Sequence, residues 1–310
     1  MPETKFRLVT RSDMDGLVCA VLLKHIDMVN DILFVHPKDM QDGTIEITDN
    51  DIITNLPYVE KAHLVFDHHS SEKLRVKGDR ENHVIDTEAP SAARVVYDYY
   101  GGAEKFPASF EPMMLAVDKA DAAQFSKDDI LDPQGWELLS FLMDARTGLG
   151  RFRDFRISNY ELMMTLIDHC MEHQDINDIL ELPDVKERVE TFREQEPLFK
   201  EQIKRCSTEH NNLVVLDLRD EDTIYCGNRF MIYALYPDCN ISMHVLWGRQ
   251  KQNTVFAVGK SIFDRSSDIN IGALMLKNGG GGHEAAGTCQ VDNDACDTVQ
   301  QNLISEMSGG

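Results

Sequence analysis

The chain has 310 residues, of which 42% are hydrophobic and 27% charged, so its composition is globular and excludes collagen-like, coiled-coil and wholly disordered chains. At this length we expect two domains. It carries 53 Asp and Glu against 31 Lys and Arg, a net charge of −22, which disfavours binding to long nucleic acid or to an anionic membrane surface.

No segment approaches the roughly 20 consecutive apolar residues that cross a bilayer, and the N-terminus lacks the apolar core of a signal peptide. The seven cysteines include no C-x-x-C pair, which predicts buried reduced thiols rather than disulfides or a zinc knuckle. We therefore expect a cytoplasmic protein with no membrane partner.

Strand and helix patterns alternate in the first half of the chain. In chain order they predict a strand at Phe6 to Thr10, a helix at Gly16 to Met28, strands at Ile32 to Val35, Ile45 to Ile47, Ala62 to Phe66 and Val84-Ile85, and a helix at Ser91 to Tyr99 capped by Ser91. This alternation predicts an α/β fold with a mainly parallel sheet flanked by helices. Ligands of such a sheet lie beyond the carboxyl ends of its strands.

The pattern is helical and highly charged from Trp136 to Lys204, and strand patterns return from Leu213. The predicted strands of this second region are LVVLDL, FMIYALYP, ISMHVLW and NTVFAVG, followed by a helix at Ile271 to Leu276 and a glycine run at 279–282. We predict an N-terminal α/β domain at 1–195, a helical connector at 196–208 and a smaller C-terminal α/β domain at 209–310.

Four groups of polar residues stand at the predicted ends of elements in the first domain. They are Asp13-Met14-Asp15-Gly16, Thr48-Asp49-Asn50, Asp67-His68-His69 and Asp118-Lys119-Ala120-Asp121. Each alone is also explained by a helix cap or a solvated surface. Together they predict a rim of carboxylates and imidazoles at one edge of the sheet, and these groups are ligands of divalent cations.

A second constellation lies near the C-terminus, where Gly280, Gly281 and Gly282 precede His283. Because glycine has no Cβ, backbone N–H groups in such a run can approach an anion, and His283 and Arg265 would add charge or hydrogen bonds to a phosphate. The alternative for a run of glycines is a flexible linker.

The order of these motifs resembles the DHH phosphoesterase superfamily. Asp264-Arg265-Ser266-Ser267, Gly280 to His283 and Ala285-Ala286-Gly287 are similar to its DHHA1 substrate-binding module. The resemblance covers nearly the whole chain. It implies hydrolysis of a phosphate ester with one or two Mn²⁺ or Mg²⁺ ions, in which a metal-activated water attacks phosphorus.

The resemblance also implies a role for each matching residue. The implied metal ligands are Asp13, Asp15, Asp49, His68 and Asp121, with Asp49 between two ions. The implied catalytic residues are Asp67, His68 and His69, of which His69 faces substrate or supports a ligand, and Asp67 and Asp118 are secondary metal candidates. The implied substrate-binding residues are Arg265, Gly280, Gly281, Gly282, His283 and Arg11.

Arg11 marks a departure from the family, which usually supplies a further ligand two or four positions before Asp13, where this chain has Arg11 and Val9. In an extended segment Arg11 lies on the same side as Asp13 and Asp15. One hypothesis is that its guanidinium weakens or replaces one metal ion and contacts the substrate phosphate. The alternatives are a surface ion pair for Arg11 and a compensating imidazole from His36.

These features favour a metal-dependent phosphoesterase acting on a short nucleotide: an oligoribonucleotide, a cyclic dinucleotide or a phosphorylated nucleotide. The alternatives are a pyrophosphatase or exopolyphosphatase, which needs more cationic side chains, and a catalytically weakened nucleotide-binding protein. The expected partner is the small substrate, long nucleic acid is not expected, and a homodimer is left open.

Overall fold

The structure, a computed structural model, describes residues 5–172 and 175–309. Positions 173 and 174 of the predicted helical stretch, and the predicted domain limits at 1 and 310, lie outside these residues. The chain divides into two compact units. The first extends to Glu190 without 125–132 and 146–148, and the second comprises those two segments and the chain from Thr191 onward.

Five parallel strands form the sheet of the first unit, in the order β2-β1-β3-β4-β5. They are β1 Phe6–Thr10, β2 Val29–Phe34, β3 Asp51–Thr54, β4 Leu64–Asp67 and β5 His83–Ile85. Because the strand order reverses beside β1, the switch point of this sheet lies between β1 and β3. In a doubly wound sheet, ligands bind at the carboxyl edge at that point.

The first ten helices run through the chain as far as Cys206. They are α1 Met14–His25, α2 Pro37–Gln41, α3 Ser70–Arg75, α4 Ala92–Tyr99, α5 Glu111–Asp121, α6 Lys127–Leu131, α7 Gly135–Met143, α8 Asn159–Glu172, α9 Ile176–Leu180 and α10 Pro183–Cys206. Helix α1 is buried at every residue from Met14 to Leu23 and packs against α4, α5 and α8. A helix apolar on all sides belongs at the centre of a unit, and α1 lies there.

The second unit contains a six-stranded sheet in the order β10-β11-β9-β8-β7-β6, antiparallel except for the β7–β8 pair. Its strands are β6 Ser207–His210, β7 Leu213–Asp217, β8 Ile241–Trp247, β9 Thr254–Lys260, β10 Gly281–His283 and β11 Ala286–Val291. Its remaining helices are α11 Met231–Leu235, α12 Ile271–Lys277 and α13 Cys296–Met307. The buried core joins β7, β8 and β9 to α12 and α13.

Short 3-10 helices complete the described structure at Gly102–Glu104, Ala108–Phe110, Ala145–Thr147, Leu149–Arg151, Arg249–Lys251 and Asn293–Ala295. Within the described ranges, no helix is both long enough and apolar enough to cross a bilayer.

The predicted fold class, α/β with a parallel N-terminal sheet and a second sheet domain, is confirmed. The strand at Phe6 to Thr10 has its predicted bounds, and Ser91 caps α4 by accepting the N–H of Arg94. Helix α10 is continuous from Pro183 to Cys206, so it passes through the predicted boundary between 195 and 196.

Two predicted strands are wrong. The run Ile45 to Ile47 precedes β3, which begins at Asp51 because the Arg7 guanidinium, 2.6 Å away, pairs with that buried carboxylate and allows it inside a strand. The run FMIYALYP contains α11 instead of a strand, since Asn228 begins a helical turn by accepting the N–H of Phe230. An apolar run alone does not separate a buried strand from a buried helix.

Candidate metal centre

Asp13 lies where the chain leaves β1 and enters α1. It is the N-cap of α1, with extended backbone (φ −148°, ψ −175°), and its Oδ1 accepts the N–H of Gly16 at 3.0 Å. Gly16 is required at this turn because a Cβ there would lie 1.8 Å from the carbonyl oxygen of Arg11. The turn places Asp13 and Asp15 together at the carboxyl edge of the sheet.

Asp15 lies in the first turn of α1, and its side chain is buried. Its two oxygens accept the N–H groups of Ala92 at 3.0 Å and Ala93 at 2.7 Å, which open α4. Burial raises the pKa of Asp15 well above its usual value, and the nearby Asp121 carboxylate adds to the rise. A cation beside Asp15 would relieve both effects.

His68 follows β4 and faces Asp121 at the end of α5. Its Nε2 lies 2.8 Å from Oδ2 of Asp121, and its Nδ1 lies 3.2 Å from the carbonyl oxygen of Ala89. Because that carbonyl only accepts, Nδ1 carries a proton and Nε2 is the ligand atom. Burial lowers the pKa of His68, but the Asp121 carboxylate and the charge of Asp15 outweigh it and raise the pKa to about 9.

Ligand atoms of Asp15, His68 and Asp121 all lie within 4.8 Å of one another. Nε2 of His68 and Oδ2 of Asp121 lie 2.8 Å apart, so the imidazole and the carboxylate face a shared point. Two carboxylates and one imidazole form a donor set that suits Mn²⁺ or Mg²⁺. The residues present therefore fit a divalent cation.

Asn55 is a member of the site that the sequence reasoning missed. It directly follows β3 in a left-handed conformation (φ 54°) and is 2% exposed. Its Nδ2 lies 3.5 Å from Oδ1 of Asp13, while its own Oδ1 is buried without a hydrogen-bond partner. The sequence does contain one indication of this position: Asn55 follows shortly after the apolar pair Ile52-Ile53. Asn adopts the left-handed conformation more readily than most residues, and such a residue can end a strand.

The expectation that Asp49 joins this site is wrong. Asp49 precedes β3, is exposed and lies at the amino end of the sheet. The length of β3 alone, about 13 Å for four residues, separates that end from the carboxyl edge where Asp13 and Asp15 lie. Because the strand begins after Asp49 and not before it, the residue that follows β3 at the carboxyl edge and contacts Asp13 is Asn55.

Asp67 and His69 form a pair beside the cluster. Asp67 is buried, and its Oδ1 accepts the N–H groups of His68 at 2.8 Å and His69 at 3.3 Å and contacts Nδ1 of His69 at 2.7 Å. The side chain of His69 is 37% exposed, against 12% for His68. Asp67 therefore orients His69 towards solvent, whereas His68 turns into the cluster.

Asp118 supports the cluster from α5. Its Oδ1 accepts the hydroxyl proton of Ser91 at 2.7 Å, and its Oδ2 accepts Nε–H of Arg94 at 2.9 Å. Ser91 in turn caps α4, whose first N–H groups hold Asp15. The secondary metal candidate Asp118 thus positions the helix end that holds Asp15, while Asp121 lies in the cluster itself.

No protein-family model and no curated protein matches the sequence. Among solved structures, the chain is 65% identical to "pGpG-specific phosphodiesterase - PggH" from Vibrio cholerae, with a TM-score of 0.88 over 98% of this chain and 99% of that chain. The chain belongs to the DHH phosphoesterase superfamily. CDC45 from Entamoeba histolytica has the same fold at 10% identity, with a TM-score of 0.51 over 97% of this chain and 95% of that one. RecJ exonuclease bound to manganese overlaps at 13% identity with a TM-score of 0.47, covering 100% of this chain and 92% of that one.

As a member of this superfamily the chain is a hydrolase of phosphate esters, and the second unit has the DHHA1 fold. The glycine run in that unit forms β10 instead of a linker, and it pairs with β11. A Cβ on Gly280 would lie 2.0 Å from the Thr288 carbonyl oxygen, and one on Gly282 would lie 2.3 Å from that of Ala286. Close strand packing is therefore one reason for these glycines.

The other predicted substrate residues of the DHHA1 unit are at its surface. Gly281 has open space where a Cβ would be, and His283 and Arg265 are exposed. His283 ends the edge strand β10. These positions are compatible with the substrate role that the motif implies.

Arg11, which departs from the DHH pattern, remains in the site. Its Nε lies 3.0 Å from Oδ2 of Asp13, and its side chain is 37% exposed. His36 is exposed, and its Nδ1 accepts the N–H of Lys38 to cap α2. The imidazole of His36 thus has a capping role, and the residue that fills the space beside Asp13 is Arg11.

Proposed function

We propose that this protein hydrolyses the linear dinucleotide pGpG to two molecules of GMP. The choice of pGpG as the substrate is supported by the 65% identity, over 98% of the chain, to a protein described as a pGpG-specific phosphodiesterase. In this reaction the oxygen of water bonds to phosphorus, the bond from phosphorus to the 3′ oxygen breaks, and a proton passes to that 3′ oxygen.

The proposed cation site comprises Asp15, His68 and Asp121, joined by the buried Oδ1 of Asn55. When bound there, a divalent cation, Mn²⁺ or Mg²⁺, supplies Lewis-acid chemistry: it polarises a phosphoryl oxygen and lowers the pKa of water. The two N–H groups at the start of α4 hold Asp15 in the orientation that this site needs.

His69 and Arg11 are the proposed substrate-facing residues of the first unit. Asp67 fixes His69 through its Nδ1, so the opposite ring nitrogen is directed to solvent and can pass a proton to or from the reacting phosphate. Arg11 presents a guanidinium at the same rim, where it can pair with a phosphate oxygen. In the second unit, Arg265, His283 and Gly280 to Gly282 are the proposed substrate-binding residues, because they match the DHHA1 motif.

Several observations support a short nucleotide over inorganic polyphosphate or long nucleic acid. Most cationic side chains near the motifs are already paired: Arg94 with Asp118, Lys119 with Glu137 at 2.6 Å and Lys38 with Asp42 at 2.9 Å. The net charge of −22 repels a long polyanion. All seven cysteines are free, which supports the proposed cytoplasmic location.

The test is hydrolysis of pGpG with Mn²⁺ or Mg²⁺, followed by chromatography of the nucleotide products, with pApA, cyclic di-GMP and polyphosphate as comparison substrates. We expect GMP from pGpG and little turnover of cyclic di-GMP or polyphosphate. Asp15→Asn should abolish turnover and Asp49→Ala should not. Faster release of phosphate from polyphosphate than of GMP from pGpG would refute the proposal that pGpG is the substrate. Binding of pGpG without any turnover would identify a nucleotide-binding protein.

A further inference from the structure

Asp13 differs from Asp15, whose two oxygens accept neutral backbone N–H groups, because one of the donors facing Asp13 is the cationic guanidinium of Arg11. Oδ1 accepts the N–H of Gly16 at 3.0 Å and lies 3.5 Å from Nδ2 of Asn55. Oδ2 lies 3.0 Å from Nε of Arg11. A cation beside Asp13 would therefore have to displace a guanidinium and lie close to an amide NH₂ group.

Asn55 lies beside Asp13 at the carboxyl end of β3. Its NH₂ group faces Asp13, so its carbonyl oxygen faces away from Asp13. That oxygen is buried and has no donor, as expected for a group that contacts a cation. A carboxylate could bridge two cations with its two oxygens, but a carboxamide has one oxygen and presents its positive NH₂ edge to the other side.

The charges of the cluster lead to the same result. Asp13, Asp15 and Asp121 contribute three negative charges, and the guanidinium of Arg11 contributes one positive charge. The guanidinium therefore already offsets the charge of one of these three carboxylates. Of the neighbouring carboxylates, Asp118 is paired with Arg94, and Oδ1 of Asp67 contacts Nδ1 of His69.

We propose that this centre holds one divalent cation, on the side of Asp15, His68 and Asp121, and that the guanidinium of Arg11 occupies the place beside Asp13 that a second cation would need. The proposal rests on the metal centre of the proposed function. It assigns Asn55 as the residue that separates the two places, with its Oδ1 towards the cation and its NH₂ towards Asp13.

The deciding measurement is the metal stoichiometry of the wild-type protein. Calorimetric titration of the metal-free protein with Mn²⁺ should give one ion per chain, and electron paramagnetic resonance should show the resolved hyperfine pattern of an isolated ion. Two ions per chain with an exchange-coupled spectrum would overturn the proposal. Because this measurement needs no variant, it remains decisive even if a variant fails to fold.

Substitutions then test the residues that exclude the second ion. The double variant Arg11→Ala with Asn55→Asp removes the competing cation and supplies a second carboxylate oxygen. It should bind two Mn²⁺ ions per chain and show exchange coupling, with the affinity for the second ion raised roughly tenfold or more. Failure of a folded double variant to take up a second ion would refute the assigned roles of Arg11 and Asn55.

Arg11→Lys is the matched control, because it keeps the positive charge at the same position. It should retain one ion per chain, and a gain of a second ion in this variant would contradict the role of charge. The number of bound ions can be measured independently of whether the protein hydrolyses pGpG. Wild-type protein that binds one Mn²⁺ but does not hydrolyse pGpG supports the single-ion centre and refutes the substrate.

Discussion

Raising the pH should destabilise the metal-free first unit, because the cluster binds a proton where it lacks a cation. The pKa of His68 rises from 6.5 to about 9 on folding. Its proton therefore stabilises the fold fully below pH 6.5, and this contribution is lost as the pH rises from 6.5 to about 9. Asp15 acts in the same direction, since burial raises its pKa and favours its protonated form.

The magnitude follows from the change in the pKa of His68. A rise of about 2.5 pH units, at about 1.4 kcal/mol per unit, corresponds to about 3–4 kcal/mol of unfolding free energy. The His68 side chain is only 12% exposed, so solvent screens little of this interaction. A bound divalent cation replaces the proton, so the stabilisation by saturating Mg²⁺ should grow by about 3 kcal/mol between pH 6.5 and pH 9.

Guanidinium unfolding at pH 6.5, 7.5 and 9, in chelator and in Mg²⁺, measures this effect. The chain has two tryptophans, Trp136 in the first unit and Trp247 in the second, so the Trp247→Phe background lets fluorescence report the first unit alone. His68→Gln is the control, and it should flatten the pH dependence in chelator. An equal loss of stability in His68→Gln and in the parent protein would refute the reasoning.

Three further predictions concern individual side chains. Asn55→Ala should weaken Mn²⁺ binding by about tenfold or more in calorimetry, while Asp49→Ala changes the affinity less than twofold, and the reverse order would restore Asp49 to the site. Ser91→Ala removes the cap of α4 and the partner of Asp118, so thermal unfolding should show a loss of about 1 kcal/mol together with weaker Mn²⁺ binding; unchanged metal affinity would contradict a positioning role. Gly280→Ala places a Cβ 2.0 Å from a backbone oxygen and should destabilise the second unit by about 1–3 kcal/mol, measured by Trp247 fluorescence, and wild-type stability would contradict the close packing of β10.

Candidate residues could be placed from the sequence where each stands directly against a strand or a helix with a clear pattern. Asp13 and Asp15 follow β1, which has its predicted bounds, and Asp67-His68-His69 overlaps the end of β4. In these places the hydrophobic pattern is local, and the position of the strand fixes the end of the sheet to which the polar residues belong. The motif spacing across both units carried the resemblance to the DHH superfamily.

The place of Asp49 could not be predicted in the same way. The apolar run Ile45 to Ile47 predicted a strand, whereas β3 comprises Asp51–Thr54, and the carboxylate of Asp51 pairs with Arg7, which is far away in the chain. A shift of the strand by a few residues moves Asp49 from the carboxyl end of the sheet to the amino end. It also brings Asn55 into the site.

By itself, the sequence determined the α/β class, the superfamily and most of the candidate ligands, because these depend on local periodicity and on the identity of residues in motifs. Only the tertiary structure decided which residues meet. It brought Asp15, His68 and Asp121 together from three elements, placed Asn55 and not Asp49 beside Asp13, and paired Arg11 with Asp13. These outcomes depend on strand register and on long-range ion pairs, which no local pattern encodes.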